Sequence, residues 1–273
     1  MASKKIIDIF NERNVIGKLR DLLMENLDDL PLTDLYLTHP VLKSKIYGSD
    51  FKPIILEFLE RHDIGDICKL VNSAALTVIT YIIADKRPKI IDRILDWIKK
   101  QRLYDNGWHW LPKKETPEKS ESWSTALVFA TFKIARVDMN FDSIVKFLDR
   151  NWKLNRWGGF PEVTLIYLSY AGYNKHDWLV QEPVEYLLET QLQNGAWAGY
   201  SSKTAKGGIF RTCIVLNALT SLGFTIDDDV VSKGLKFIES KIQRILNAKW
   251  GGVLLQALGG LASALLSLGL EDV

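Results

Sequence analysis

The stretch "EYLLETQLQNGAWAGY", residues 185–200, joins the end of a predicted helix to a turn that contains glycine and tryptophan. Gln191 is followed by Gly195 at +4 and by Trp197 at +6, and the aromatic–aliphatic pair Tyr186–Leu187 precedes it. A pattern of this kind decides the fold if it recurs at a regular interval, because internal repeats are the sequence signature of repeat architectures.

The pattern does recur, in degenerate form. The other copies are "RILDWIKKQRLYDNGWHW" (93–110), "KFLDRNWKLNRWGGF" (146–160) and "KGLKFIESKIQRILNAKWGG" (233–252), and Gln101 and Trp152 take the place of Gln191 in the first two. The turn tryptophans Trp108, Trp157, Trp197 and Trp250 are separated by 49, 40 and 53 residues. A period of this length indicates an array of helix pairs.

Two classes of helix alternate along the chain. One class carries charges and is amphipathic, as in "PKIIDRILDWIKKQ" (88–101), so it has one solvent-exposed face. The other class is rich in small and apolar residues on all sides and is predicted at 70–84, 123–135, 162–173, 210–224 and 253–270. A helix without a polar face is buried all round. We therefore predict an all-α (α/α) toroid, with the apolar helices as an inner barrel and the amphipathic helices as its outer wall.

The repeats span residues 66–273, and residues 1–65 are predicted to complete the same single domain, 1–273, with divergent helical pairs that include helices over 15–27 and 51–62. The apolar run 253–270 holds eighteen residues without a charge, which is close to the lower length limit of a membrane span. We interpret it as a buried core helix, because Gln256 and Ser263 interrupt it. Peripheral membrane contact is the alternative.

The composition excludes some classes of partner. The chain has 273 residues, with 35 basic and 33 acidic side chains and a formal net charge of +2, which gives no basis for nucleic-acid binding. Cys68 and Cys213 are too few for a disulfide framework, which favours a reduced, cytoplasmic setting, with membrane association as the alternative.

The segment 182–197 resembles the QW motif of the squalene–hopene and oxidosqualene cyclases, and "KGLKFI" (233–238) is similar to the basic start of that motif. The Gly-Gly-Phe sequence at 158–160 is more similar to the β subunits of protein prenyltransferases, which share the (α/α) toroid. The resemblance extends over roughly residues 85–270. It implies that Gln191 bonds the backbone at helix ends while Trp197 stacks on it, so that both are structural.

The resemblance also implies an isoprenoid or terpenoid ligand, and either a cyclase-like isomerase or lyase that starts carbocation chemistry with an acid, or a prenyltransferase-like enzyme. The acidic motifs of these families are not matched. Asp227–Asp229 lack the D-x-D-D spacing and are interpreted as the start of a helix, and in "ENLDDLPLTDLY" (25–36) Pro31 interrupts the acids, which indicates a turn. Because these motifs are unmatched, the sequence leaves open whether the chain is an enzyme.

No cofactor is predicted. In the segment 208–219, Arg211 stands where the prenyltransferases have their zinc-binding histidine, before Thr212-Cys213, and arginine does not bind zinc. The four histidines, His39, His62, His109 and His176, lack ligand spacing. Magnesium is expected only if the ligand is a diphosphate.

Residues at the starts of the apolar helices are predicted to meet at one mouth of the barrel. We assign Glu121 and Glu162 as candidate catalytic acids and Arg211 as a contact for an anionic or polar head group. Substrate-binding walls are assigned to aromatic side chains of the same helices, namely Trp123, Phe129, Tyr167 and Phe210, with Phe132 and Tyr170 in the same stripe. The alternative is that the acids stabilise helix starts, that Arg211 pairs with one of them and that the aromatics are core.

Three functional hypotheses follow. The first is an isoprenoid-binding toroid with terpene-cyclase-like chemistry. The second is a non-catalytic scaffold or lipid carrier that binds a hydrophobic small molecule. The third is a carbohydrate-active α/α barrel that uses a glutamate pair such as Glu121 and Glu162, with tryptophan platforms for sugars.

Overall fold

The regular elements of the chain are helices. The computed structural model of the protein describes residues 14–115, 119–199, 208–247 and 253–270. Within these ranges the structure contains no β-strand, and an isolated antiparallel bridge joins Trp108 and Glu121. The predicted all-α class is confirmed.

The α-helices in chain order are α1 (Val15–Glu25), α2 (His39–Lys43), α3 (Gly48–Glu60), α4 (Ile64–Ile67), α5 (Val71–Ile83), α6 (Ile90–Lys100), α7 (Ser122–Ile134), α8 (Asp142–Asn155), α9 (Pro161–Tyr170), α10 (Trp178–Glu189), α11 (Ile209–Ser221), α12 (Asp229–Glu239), α13 (Ile242–Leu246) and α14 (Val253–Ser267). Short 3₁₀ segments lie at Leu27–Asp29, Leu32–Thr38, Lys113–Glu115 and Arg156–Gly159.

The two helix classes differ in burial as the sequence predicts. Helix α6 buries Ile91, Ile94, Leu95 and Ile98, which is one stripe at helical spacing. Helix α7 instead buries every residue from Ser124 to Phe132. A helix of the second kind needs neighbours on all sides, so its position inside the molecule follows from its composition.

The apolar elements contact one another in a cyclic order. Helix α5 contacts α7, α7 contacts α9, α9 contacts α11, and α11 contacts α14. The segment Leu32–Thr38 contacts both α14 and α5, so the last member of the series is linked back to the first. The amphipathic helices α6, α8, α10 and α12 pack on α5, α7, α9 and α11, respectively. The toroid stays a prediction, and this order of contacts supports it.

The N-terminal part contributes differently from our expectation. Helices α1 and α3 lie where helices over 15–27 and 51–62 were predicted. The place between α14 and α5 is nevertheless taken by the 3₁₀ segment Leu32–Thr38, which the sequence analysis interpreted as a turn. The segment is held there because Leu35 and Leu37 are buried.

Each described turn tryptophan makes the same hydrogen bond. The indole Nε1 of Trp108, Trp157 and Trp197 donates to a backbone carbonyl in the preceding outer helix, at 2.8, 2.7 and 2.7 Å. These acceptors are the carbonyls of Ile98, Leu148 and Leu187. The indoles are fully buried. The buried indole N–H is thereby satisfied, and each turn is tied to the helix that precedes it. The turn of Trp250 lies outside the described residues.

The backbone N–H of the turn tryptophan joins the turn to the next inner helix. Trp108 donates to Thr125 Oγ1 in α7 at 2.9 Å, and Trp197 donates to Thr212 Oγ1 in α11 at 3.1 Å. One residue thus fixes an outer helix, a turn and an inner helix together.

Gln191 connects one repeat to the next. Its Nε2 donates to the carbonyl of Gly195 at 2.9 Å and to the carbonyl of Val230, in the first turn of α12, at 2.8 Å. The implied bonding of this glutamine to backbone groups at helix ends is confirmed. Gln191 thus bonds the following amphipathic helix, whereas Trp197 bonds the amphipathic helix that precedes its own turn.

The second repeat makes the equivalent connection with a different side chain. Trp152 stands where the glutamine is expected, and its Nε1 donates to Glu182 Oε2 in α10 at 2.8 Å. The ring of Trp152 also packs edge-on against Trp157, with centroids 5.2 Å apart. The second repeat thus keeps a side-chain donor to the following helix without a glutamine.

In the first repeat the connection comes from Arg102, which corrects our alignment of Gln101 with Gln191. The Arg102 guanidinium lies over the Trp108 ring and donates to Ser143 Oγ, at the start of α8, at 2.6 Å. Gln101 instead accepts a bond from Lys113 N at 2.9 Å. The glutamine is one residue further from its tryptophan than Gln191 is from Trp197, so its side chain serves the local loop.

Two glycines allow α12 to approach the turn that contains Trp197. Gly195 has φ of +84°, and a Cβ there would collide with the carbonyl oxygen of Lys233. A Cβ on Gly234 would lie 3.3 Å from the Trp197 ring and 2.8 Å from Leu216. Glycine is required at position 195 by both the backbone conformation and the neighbouring chain.

The last helix belongs to the core. Helix α14 packs against α11, α1, α2 and the segment Leu32–Thr38, and it buries residues on several sides, such as Leu258, Leu261 and Leu265. Among the helices of the described ranges, none is both long enough and apolar enough to cross a bilayer.

Replacing Trp197 by phenylalanine removes the indole N–H but keeps an aromatic ring in the turn. We expect Trp197→Phe to lower the free energy of unfolding by about 2 kcal/mol, because the Leu187 carbonyl loses the shorter of its two hydrogen bonds and the smaller ring leaves buried space unfilled. The measurement is urea denaturation followed by circular dichroism. Trp178→Phe is the matched control, since Trp178 is 60% exposed, and its effect is expected within about 0.5 kcal/mol. Equal effects of the two variants would contradict the structural role of Trp197.

Candidate functional site

A cavity of about 340 Å³ lies among the apolar elements. Its lining comes from α5, α7, α9, α11, α14 and the segment Leu32–Thr38, which are the members of the cyclic contact order, and from Trp110 in the loop after α6. Its volume is at the small end of the range of about 300–1,000 Å³ that ligand sites occupy. It is the candidate binding site of the protein.

Most of the cavity wall is apolar. The aromatic lining residues are Tyr36, Trp110, Trp123, Tyr167, Tyr170 and Phe210. The aliphatic lining residues are Leu76, Leu127, Val163, Ile166 and Ile214. Such a wall binds apolar groups by burial and binds cationic groups through the faces of its rings.

One carboxyl group faces this wall. Asp34 lines the cavity from the segment Leu32–Thr38, and burial raises its pKa above the ordinary value of an aspartate. The pKa values of the Tyr36 and Tyr167 phenols are raised, first by burial and then in part by the negative charge of Asp34. The three side chains therefore form one electrostatic cluster inside the cavity.

Asp34 is a site residue that the sequence analysis missed. We grouped it with Asp28 and Asp29 and interpreted all three as a turn. Asp28 does lie on the surface, where it pairs with Arg61 at 2.6 Å. Asp34 is separated from it by the Pro31 break and turned inward by the burial of Leu35 and Leu37.

Neutral polar groups complete the lining. Thr33, Asn72, Asn217 and Ser263 contribute them. Asn72 is buried, and its Oδ1 has no hydrogen-bond partner within the described part of the chain. Asn217 Oδ1, in contrast, accepts a bond from Ser221 Oγ at 3.1 Å. A buried acceptor without a donor is costly, so Asn72 marks a place where a ligand donor would be favourable.

A buried histidine lies behind Tyr170. His39 Nε2 is 3.1 Å from Thr80 Oγ1, and the Thr80 hydroxyl donates to the Leu76 carbonyl, so Nε2 must carry the proton. The other ring nitrogen, Nδ1, is then an acceptor for the Tyr170 hydroxyl at 3.4 Å. Burial, with a smaller contribution from Lys43, lowers the pKa of His39 to about 3. The neutral imidazole therefore orients a phenol of the cavity wall.

Glu162 and Arg211 are brought together, as the structural alternative in the sequence analysis anticipated. Arg211 Nε donates to Glu162 Oε1 at 3.2 Å, and its Nη1 donates to the Ala198 carbonyl at 3.1 Å. Glu162 is fully buried. Neither residue is among the side chains that line the cavity in the described ranges. The pair joins the starts of α9 and α11.

Glu121 is placed in a different pair. Its carboxylate accepts a bond from Ser124 Oγ at 3.1 Å and lies 3.7 Å from His109 Nε2. It also pairs through its backbone with Trp108. The predicted cluster of Glu121 and Glu162 at one mouth is thus divided, because Glu121 contacts His109 and Glu162 pairs with Arg211.

The predicted aromatic wall is reproduced in part. Trp123, Tyr167, Tyr170 and Phe210 line the cavity. Phe129 packs instead against Phe141 and Tyr173, with centroids 5.3 and 6.0 Å away, and Phe132 packs against Trp108. These two phenylalanines belong to the packing between inner and outer helices.

The remaining acids and cysteines have structural surroundings. Asp228 Oδ2 accepts a bond from Thr225 N at 2.6 Å, and Asp229 pairs with Lys233 at 2.6 Å. Cys213 is buried, which raises the pKa of its thiol. In the described ranges, no group of three or more histidine, cysteine, aspartate or glutamate side chains is arranged to hold a metal ion.

Comparison of the chain with protein-family models and with curated proteins finds no match. The resemblance to the terpenoid cyclases and protein prenyltransferases therefore stays a prediction that depends on the repeat motif.

The buried His39 makes stability depend on pH. Its pKa in the folded protein is about 3, whereas that of an unfolded histidine is about 6.5, so the unfolded chain binds the proton first. The free energy of unfolding is expected to fall as pH drops from about 6.5 towards 3, by up to about 1.4 kcal/mol per pH unit from this group. The measurement is urea denaturation at a series of pH values.

His39→Gln is expected to remove this component of the pH dependence, because glutamine does not titrate. His176→Gln is the matched control, since His176 is exposed, and it should keep the wild-type slope. An unchanged slope in His39→Gln would show that other groups cause the acid sensitivity.

Proposed function

We propose that the protein is a terpenoid-cyclase-like (α/α) toroid that binds an isoprenoid or terpenoid chain in the cavity between its apolar helices. The observation that carries the proposal is the cavity wall, which combines six aromatic and five aliphatic side chains with a single carboxyl group, Asp34, among the described lining residues. Burial of an apolar chain against such a wall is favourable by about 25 cal/mol per Å².

The size of the cavity limits the ligand. A volume of about 340 Å³ suits a short prenyl chain better than a long polyprenyl chain such as squalene. The absence of lysine and arginine from the described lining also favours a ligand without a diphosphate at this position, because a diphosphate needs cationic partners.

If the protein is catalytic, Asp34 is the acid that the geometry favours over Glu121 and Glu162. Burial raises the pKa of Asp34, which keeps a larger fraction of the carboxyl protonated. Transfer of its proton to an alkene carbon forms a C–H bond and leaves a carbocation facing the aromatic rings. Loss of a proton from a neighbouring carbon to the Asp34 carboxylate would complete an isomerisation without a cofactor.

The carbohydrate hypothesis is less well supported. Glycoside hydrolysis uses two carboxyl groups that flank the scissile bond. Asp34 is the one carboxyl group among the described lining residues, whereas Glu121 contacts His109 and Glu162 pairs with Arg211. The hypothesis of a non-catalytic carrier uses the same cavity. A measurement of turnover distinguishes it from the cyclase hypothesis.

A thermal-shift experiment tests ligand binding. We expect geraniol and farnesol to raise the unfolding midpoint in a concentration-dependent way, because they bind the folded state only, and we expect maltotetraose to leave it unchanged. Val163→Trp fills part of the cavity and is expected to abolish the shift. Leu188→Trp, at a side chain that is 37% exposed, is the matched control and should keep it. A shift with the sugar alone would favour the carbohydrate hypothesis.

Turnover is tested by mass spectrometry and chromatography of the ligand after incubation with the protein. If Asp34 is the acid, a product of unchanged mass and altered retention forms with the wild type, and Asp34→Asn lowers its rate by at least about 100-fold. Glu121→Gln should keep the activity. Binding without any product would identify the protein as a carrier.

A further inference from the structure

We propose that the polar end of the natural ligand is a protonated amine, held by Asp34, Asn72 and the aromatic faces of the cavity. The inference rests on the proposed function in one respect, because the same apolar wall holds the body of the ligand. It adds the chemical class of the head group, which neither the repeat motif nor the fold specifies.

The first support is the charge of the lining. Asp34 is the only aspartate, glutamate, lysine, arginine or histidine among the lining residues of the described ranges, and an ammonium group beside it would favour its ionised form. Arg211 lies outside this lining and is held by Glu162 and Ala198. A cavity with one carboxyl group and no lining cation favours a cationic head group and disfavours phosphate or carboxylate.

The second support is the orphan acceptor on Asn72. The residue is 5% exposed, lines the cavity, and its Oδ1 meets no donor in the described chain. An ammonium group has up to three N–H donors and no acceptor. It therefore has enough donors for both Asn72 Oδ1 and the Asp34 carboxylate, whereas an alcohol has a single donor.

The third support is the aromatic wall. Rings of Tyr36, Trp123, Tyr167 and Phe210 share the cavity with Asp34. Aromatic faces attract ammonium groups more strongly when water is excluded. The protein already uses this interaction beside the cavity, since Lys43 Nζ lies 4.3 Å from the centroid of the Tyr170 ring. Lys43 itself is not a lining residue.

The test compares three ligands that share one prenyl body: geranylamine, geraniol and geranyl phosphate. Binding to the full chain is measured by isothermal titration calorimetry at pH 7 and fixed ionic strength. We expect geranylamine to bind at least tenfold more tightly than geraniol, and geranyl phosphate to bind most weakly. An apolar cavity without a counter-charge would give the opposite order for amine and alcohol, because an ammonium is harder to desolvate.

Two variants assign the preference to its residues. Asp34→Asn is expected to remove the tenfold preference while the affinity for geraniol changes less than threefold. Asn72→Ala is expected to weaken geranylamine several-fold more than geraniol. Asp28→Asn is the control, because Asp28 is exposed and paired with Arg61, and it should leave all three affinities unchanged.

The outcomes separate this inference from the proposed function. If geraniol binds as tightly as geranylamine or more tightly, the amine assignment is overturned and the isoprenoid cavity stands. A preference for the amine that survives Asp34→Asn also overturns it. If none of the three ligands binds, both proposals fail.

Discussion

The hydrogen bond from the turn tryptophan to the amphipathic helix that precedes it is the constraint on which the rest of the structure depends. Trp108, Trp157 and Trp197 each place a buried indole N–H within 2.8 Å of a helix carbonyl. A buried indole N–H without an acceptor is costly, and a helix carbonyl supplies that acceptor. The same side chain thus anchors the turn to the helix and fills the space between repeats with a large apolar ring.

Contact between successive repeats requires a donor rather than a particular amino acid. Arg102, Trp152 and Gln191 all reach the following outer helix, and they end on Ser143, Glu182 and the Val230 carbonyl. The chemistry common to the three is an N–H group held near the turn tryptophan. This explains why the motif looks degenerate in sequence although the connections between repeats are equivalent in the structure.

The cavity is a consequence of the same arrangement. Inner helices that are apolar on all sides must be surrounded, and their cyclic contacts leave a space lined by their aromatic and aliphatic side chains. The 3₁₀ segment Leu32–Thr38 occupies the position between α14 and α5. Its leucines are buried in the core, and this puts Asp34 and Tyr36 at the cavity. The carboxyl group of the cavity therefore comes from the one member of the cyclic contact order that is not an α-helix.

The sequence by itself determined the all-α class, the alternation of amphipathic and apolar helices, and the structural use of Gln191 and Trp197. These features depend on local periodicity and on a short spacing, which a single sequence displays. It also predicted Trp123, Tyr167 and Phe210 as substrate-binding residues of the apolar helices, and all three line the cavity.

Only the tertiary structure decided which polar groups share the cavity. Asp34, Asn72 and Tyr170 come from three elements that are far apart in sequence, and His39 acts on Tyr170 across 131 residues. Glu121 and Glu162 look alike in sequence, yet one meets His109 and the other meets Arg211. The direction in which a side chain points, and the partner that it meets, depend on long-range packing. No local sequence pattern encodes them.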